Sequence, residues 1–161
     1  MPLLLALLAL LGFGGPERPG PGPSRQEPDP VPAPAPLALR VDLPDLAPAG
    51  MDVPFRLALA NRGDRPIPVE LGGRPVAFDL VVRRADGAIV WRRLEGVPIE
   101  MILVQRTLGP GEVVTFEGHW DQRDSRGKQV PPGVYQVRGV LPVPGEPGGW
   151  GSDPRELTVT P

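Results

Sequence analysis

Serine-type catalysis needs a nucleophile, a base and a group that orients the base, all within hydrogen-bond reach. This chain offers little of that kind. His119 is its only histidine, and its serines are Ser24, Ser125 and Ser152. None sits in a Gly-x-Ser-x-Gly elbow. By alternation His119 lies on the strand face opposite Phe116, where a solvated strand residue is the simpler account of a lone histidine. The chain has no cysteine, which excludes a thiol nucleophile, a thiolate metal site and disulfides. No catalytic residue is assigned, and an enzyme is not expected.

Two further clusters invite chemistry. Hard cations want gathered oxygen ligands, and Asp121 and Asp124 stand three apart. That spacing does not make a calcium loop, and Arg123 and Arg126 put positive charge where the ion would sit. A polar turn closed by aspartates bonding nearby backbone amides explains the run more simply. Arg62, Gly63 and Asp64 spell an adhesion tripeptide, yet with Asn61 they also read as the positive-φ turn of a hairpin. Neither a metal nor a cofactor is expected. A net charge of -2 supplies no basic field for phosphates, so nucleic acid is excluded as a partner.

Whatever chemistry exists must be positioned by strands. With 25 prolines and 21 glycines in 161 residues, long helices are disfavoured and turns must be frequent. Apolar residues alternate over 37–43 and 53–59, then over 76–83, 114–120 and 135–141, with a last strand at 157–160. Residues 61–64 turn the second strand into a third near 67–71, and Asp86 and Gly87 mark a hairpin returning through 89–92. Residues 44–50 and 142–154 read as connections. Residues 99–108 read as a further strand whose middle, Met101, Ile102, Leu103 and Val104, is apolar on both faces; it is either covered on both sides or partly exposed, and covered strands are the commoner case. Tyr135, early in a late strand, fits a buried corner tyrosine whose hydroxyl needs a partner. The expected fold is all-β, an immunoglobulin-like antiparallel β-sandwich occupying residues 37–161.

Residues 3–11 form a leucine and alanine run, long enough for a secretion signal and short of the ~20 residues of a membrane span. Residues 1–14 are therefore read as a signal peptide. Residues 15–36 are rich in proline and glycine and read as an extended, unstructured linker that builds no sheet. Together they place the domain outside the cytoplasm, with no membrane span once the signal is removed.

With those residues placed, the chain resembles the intracellular proteinase inhibitor family (BsuPI-type domains). Asn61 and Pro66, then Phe78, Asp79, Gly87, Val90 and Trp91 carry the resemblance, followed by Leu108, Gly109, Pro110, Gly111, Glu112 and Phe116. Trp120, Asp121, Asp124, Gly127 and the run from Val130 through Pro131, Pro132, Gly133 and Val134 to Tyr135 complete it. The resemblance implies an immunoglobulin-like fold and a protein partner, with a subtilisin-like serine protease as the expected target and a monomer as the expected state. It carries over no reactive-site residue.

An inhibitor usually presents a rigid, substrate-like segment to the enzyme's cleft. Gly96, Val97, Pro98, Ile99, Glu100 and Met101 form a proline-stiffened stretch between two strands with apolar residues to fill subsites. The plainer account is a crossover whose apolar residues pack inward. Pairing of an edge strand with an extended peptide is a second mode of binding. The alternative function is a structural or adhesive immunoglobulin-like envelope domain without inhibitory activity.

Overall fold

The computed structural model describes residues 28–100 and 102–161. Twelve strands run through them: β1 (Val31–Pro32), β2 (Leu37–Asp42), β3 (Leu46–Pro48), β4 (Val53–Asn61), β5 (Ile67–Gly72) and β6 (Asp79–Arg84), followed by β7 (Ile89–Arg92), β8 (Leu103–Leu108), β9 (Val113–Trp120), β10 (Gly133–Val143), β11 (Glu146–Gly151) and β12 (Arg155–Thr160). The described residues contain no helix.

One sheet is the antiparallel set β2-β4-β9. The other is built on β10, which pairs with β12 at its start, β6 through its middle and β11 at its end. β7 extends it beyond β6, while β3 lies parallel to β12 on the far side. Alternation places Leu39, Val41, Phe55, Leu57 and Leu59 of the first sheet against Leu80, Val82, Tyr135, Val137, Leu157 and Val159 of the second. All are buried. The chain passes from β4 in one sheet through β6 and β7 in the other, back to β9, and across again to β10, the crossing pattern of an immunoglobulin-like β-sandwich. Tyr135 completes the likeness: it is buried, and its hydroxyl donates to the Pro131 carbonyl at 2.6 Å. Aromatic contacts close one end of the core, with Trp120 stacked on Trp91 at 6.1 Å and edge-on to Tyr135 at 5.9 Å. Such pairs contribute about 1 kcal/mol each beyond their buried area.

Several local readings need correction. The turn at 61–64 closes no hairpin, because β4 and β5 belong to different sheets and β5 pairs only with β8 among the described residues. Asn61, Gly63 and their neighbours have no positive φ. Asn61 holds the turn instead: fully buried, it donates to the carbonyls of Arg65 and Leu108 and accepts from the Gly63 amide. The apolar run at 102–104 is not covered on both faces. Ile102 is 43% and Leu103 54% exposed, and by alternation Leu103 lies on the face of β8 opposite the buried Leu108. Finally, Val31 and Pro32, expected to build no sheet, pair in parallel with Trp150 and Gly151 of β11. Proline is tolerated on such an edge because it needs to supply no ladder donor on its outer side. The proposed signal, residues 1–14, and residues 15–27 of the proposed linker lie outside the described residues.

Candidate functional site

Between β7 and β8 the chain makes a loop that contains the proposed contact residues. Its foundation is Asp79. A carboxylate within the run Phe78, Asp79, Leu80, Val81, Val82 is unusual, since ionised groups are buried only when paired. Asp79 is 1% exposed. Its Oδ2 accepts from Arg92 Nε at 3.0 Å and Nη2 at 2.8 Å, and its Oδ1 accepts from the Leu94 amide at 3.0 Å. Burial pushes its carboxyl above the usual carboxylate range, and the Leu94 amide pulls the other way. One buried side chain thus ties the last residue of β7 and the first turn of the loop to β6.

Other contacts fix the same stem. The Arg93 guanidinium donates to the Phe78 carbonyl at 2.8 Å and lies 3.8 Å above the Phe78 ring centre, a cation–π contact worth about 1 kcal/mol. The Glu95 carboxylate accepts from the Ser125 hydroxyl, and the Ser125 amide donates to the Val90 carbonyl at 3.0 Å. At the far end the Gly73 amide donates to the Ile102 carbonyl at 2.8 Å. Between these anchors Gly96, Val97, Pro98, Ile99 and Glu100 are all exposed, with Val97 at 49% and Ile99 at 39%. Their apolar side chains therefore do not pack inward as in an ordinary crossover. Met101, the sixth proposed contact residue, lies outside the described residues. The loop stands beside a cleft of about 1000 Å³ bounded by Leu94 and Ile99 on one side and by Ser125, Pro142 and Pro147 on the other.

Of the remaining sequence candidates, Asp124 and Ser125 border the same cleft as the loop, whereas His119 and Ser152 do not line it. His119 is an exposed residue of β9 opposite Pro54. Asp124 closes its turn by accepting from the Arg126 and Lys128 amides, both at 2.9 Å, which holds its carboxyl below the usual range. That is the polar-turn arrangement. Ser152 is buried, its hydroxyl bonded to the Gly139 amide and the Asp153 carbonyl. Asp79 itself appeared in the sequence reading without a role. The available signal was a charged residue inside an otherwise apolar strand.

The model of the family described as intracellular proteinase inhibitor (BsuPI) matches residues 44–146. The chain belongs to that family. Its match spans the sandwich from β3 to the start of β11 and includes the whole β7–β8 loop. The family is one of inhibitors rather than enzymes, and a protease is the partner that it implies. Its description as intracellular points to the cytoplasm and overturns the extracytoplasmic location expected above. An apolar run reports hydrophobicity, which does not by itself specify export. No helix among the described residues is long and apolar enough to cross a membrane.

Among solved structures, the chain is similar to the CARDB domain of a Pyrococcus furiosus protein in complex with di-metal ions, at 13% identity and a TM-score of 0.41, over 77% of this chain and 87% of that one. It is also similar to latent PorU of Porphyromonas gingivalis, at 20% identity and 0.46, over 78% of this chain and 10% of that one. A Listeria innocua β-glucosidase matches at 13% identity and 0.43, over 78% of this chain and 16% of that one. The chain thus spans only a small part of the two larger proteins. No curated protein matches it.

Proposed function

We propose that this protein inhibits a subtilisin-like serine protease, acting as a monomer that presents Gly96, Val97, Pro98, Ile99, Glu100 and Met101 to the enzyme's cleft. One observation carries the reading beyond family membership: the β7–β8 loop is exposed and apolar at its tip while its stem is anchored to three separate parts of the sandwich. Anchoring lowers the ordering cost of binding, which otherwise takes about 0.5–1.5 kcal/mol for each immobilised side chain. A loop already held in shape loses little on docking and resists the distortion that completes hydrolysis.

The test is a titration of a subtilisin-like protease with the purified full chain, following residual activity on a small substrate and the integrity of the added protein. Inhibition that completes near one-to-one with the chain intact is the expected result. Full protease activity at micromolar excess, or rapid digestion of the chain, would overturn the reading and favour a purely structural domain.

A further inference from the structure

The loop also carries information about which side chain enters the protease's primary specificity pocket. This inference rests on the inhibitory reading above. We infer that Ile99 is that side chain, and that the partner is a protease whose pocket is apolar and accepts a β-branched aliphatic group.

Backbone geometry narrows the choice first. A substrate-like segment binds extended, exchanging main-chain hydrogen bonds with the enzyme, so residues folded into turns are excluded. The Glu95 amide donates to the Arg92 carbonyl at 3.3 Å and the Val97 amide to the Leu94 carbonyl at 3.1 Å, while Gly96 sits at φ +69°. The chain is therefore coiled on itself up to the Val97 amide. At the other end the Ile102 carbonyl is taken by Gly73. The Met101–Ile102 bond is set aside because Ile102, on its leaving side, is already tied to the sandwich through that carbonyl; Val97, Pro98, Ile99 and Glu100 lie in no turn or strand, and all are exposed.

Peptide-bond chemistry narrows it further. At the Val97–Pro98 bond the leaving nitrogen belongs to a pyrrolidine ring with no N–H, so the bond is bulky on the side where the enzyme delivers a proton. At Pro98–Ile99 the group offered to the pocket would be that short, rigid ring. At Glu100–Met101 it would be a carboxylate, a charge that is costly to bury unless the partner supplies a cation to pair it. Ile99–Glu100 has none of these faults. Ile99 stands 39% exposed at the rim of the cleft, is stiff at χ1, and follows a proline whose fixed φ limits the freedom lost on binding. The depth and chemistry of the pocket decide which residue a serine protease accepts, so a β-branched aliphatic group selects an apolar pocket over one with a buried carboxylate.

The experiment compares the full chain with its Ile99→Arg and Glu100→Gln variants against three proteases: a subtilisin-like enzyme, an elastase-type enzyme with a small aliphatic pocket, and a trypsin-type enzyme with a carboxylate at the pocket floor. The wild type is expected to inhibit the subtilisin-like enzyme, with or without the elastase type, and to leave the trypsin type active. Ile99→Arg should weaken that inhibition by about 100-fold or more and create inhibition of the trypsin type, whereas Glu100→Gln should alter neither appreciably. Equal melting temperatures would show that the exposed substitutions leave the fold intact. A second readout needs no variant. On prolonged incubation, slow hydrolysis should add water across Ile99–Glu100, leaving a carboxylate on Ile99 and an amine on Glu100, a cut located by mass. Wild-type inhibition that Ile99→Arg neither weakens nor redirects, or a first cut elsewhere, overturns the assignment while leaving the inhibitory reading standing. A wild type inert against all three enzymes overturns both.

Discussion

Asp79 ties the stability of the sandwich to the loop proposed above to meet the protease. Its carboxylate is the acceptor for the Leu94 amide and part of the Arg92 guanidinium, so its removal loosens the loop from the sheet that supports it. Asp79→Ala is expected to cost about 2 kcal/mol, the scale of hydrogen bonds to a charged group, and to weaken inhibition more than the fall in stability alone would. Urea unfolding and an inhibition titration on the same sample check both parts. Glu112 offers a test by pH. It accepts from the Gly109 amide at 2.8 Å and from Arg106 at 2.9 Å, and these bonds hold its carboxyl below its usual 4.5. A carboxyl lowered on folding stabilises the native state above its unfolded value and loses that contribution as pH falls through its folded one. Glu112→Gln should therefore melt below the wild type at pH 7, and the two curves should converge as pH drops from about 4.5 downward. A difference that stays constant with pH would show that the charge is not what matters.

At the scale of elements, β1 shows that the proline-rich stretch does not stop at the edge of the domain. Val31 and Pro32 pair with Trp150 and Gly151, the Pro34 carbonyl accepts from the Leu37 amide at 2.8 Å, and the Pro36 carbonyl accepts from the Arg62 amide at 2.9 Å. Gly148 makes this approach possible, since a Cβ there would lie 2.5 Å from the Asp29 carbonyl oxygen. A chain beginning at residue 37 is expected to lose about 2 kcal/mol with these hydrogen bonds, or roughly 5–10 °C in Tm, whereas one beginning at residue 28 keeps them. Calorimetry on the two chains decides the point, and equal melting temperatures would mean that β1 adds nothing. The short pieces β1, β3 and β11 escaped the sequence reading for one reason. Strands of two to six residues rich in proline and glycine carry no usable alternation, and they are held by neighbours rather than by their own pattern.

For the molecule as a whole, the closeness of the two sheets sets the tolerance of the core. Gly139, on β10, faces Leu57 and Val41 of the opposite sheet, and a Cβ there would collide with Leu57 Cδ1. Leu57 is fully buried and has nowhere to retreat. Gly139→Ala should cost about 1–3 kcal/mol by overpacking, measured as a lower urea midpoint at an unchanged m-value. A neutral effect would mean that the sheets can part without penalty.

Alternation along β2, β4, β9 and β10 is legible in the sequence, because a period of two needs only neighbouring residues to express it. The same local code carried the Asp86 and Gly87 hairpin, borne out by β6 pairing with β7 and by Gly87 at φ +85°. It also carried the corner tyrosine and the family. Partnership was not legible. That β4 joins β2 and β9 rather than β5 depends on contacts between residues far apart in sequence. The exposure of Ile102 and Leu103 depended in the same way on distant parts of the chain, since only another layer packed on that face could cover them. The anchoring of the β7–β8 loop was settled in the same way. Gly96, Val97, Pro98, Ile99, Glu100 and Met101 could be picked out by composition, but only the folded chain brings Asp79, Ser125 and Gly73 to its ends. Local sequence determined the alternating strands, while tertiary packing decided the short edge pieces and which apolar residues were left facing solvent.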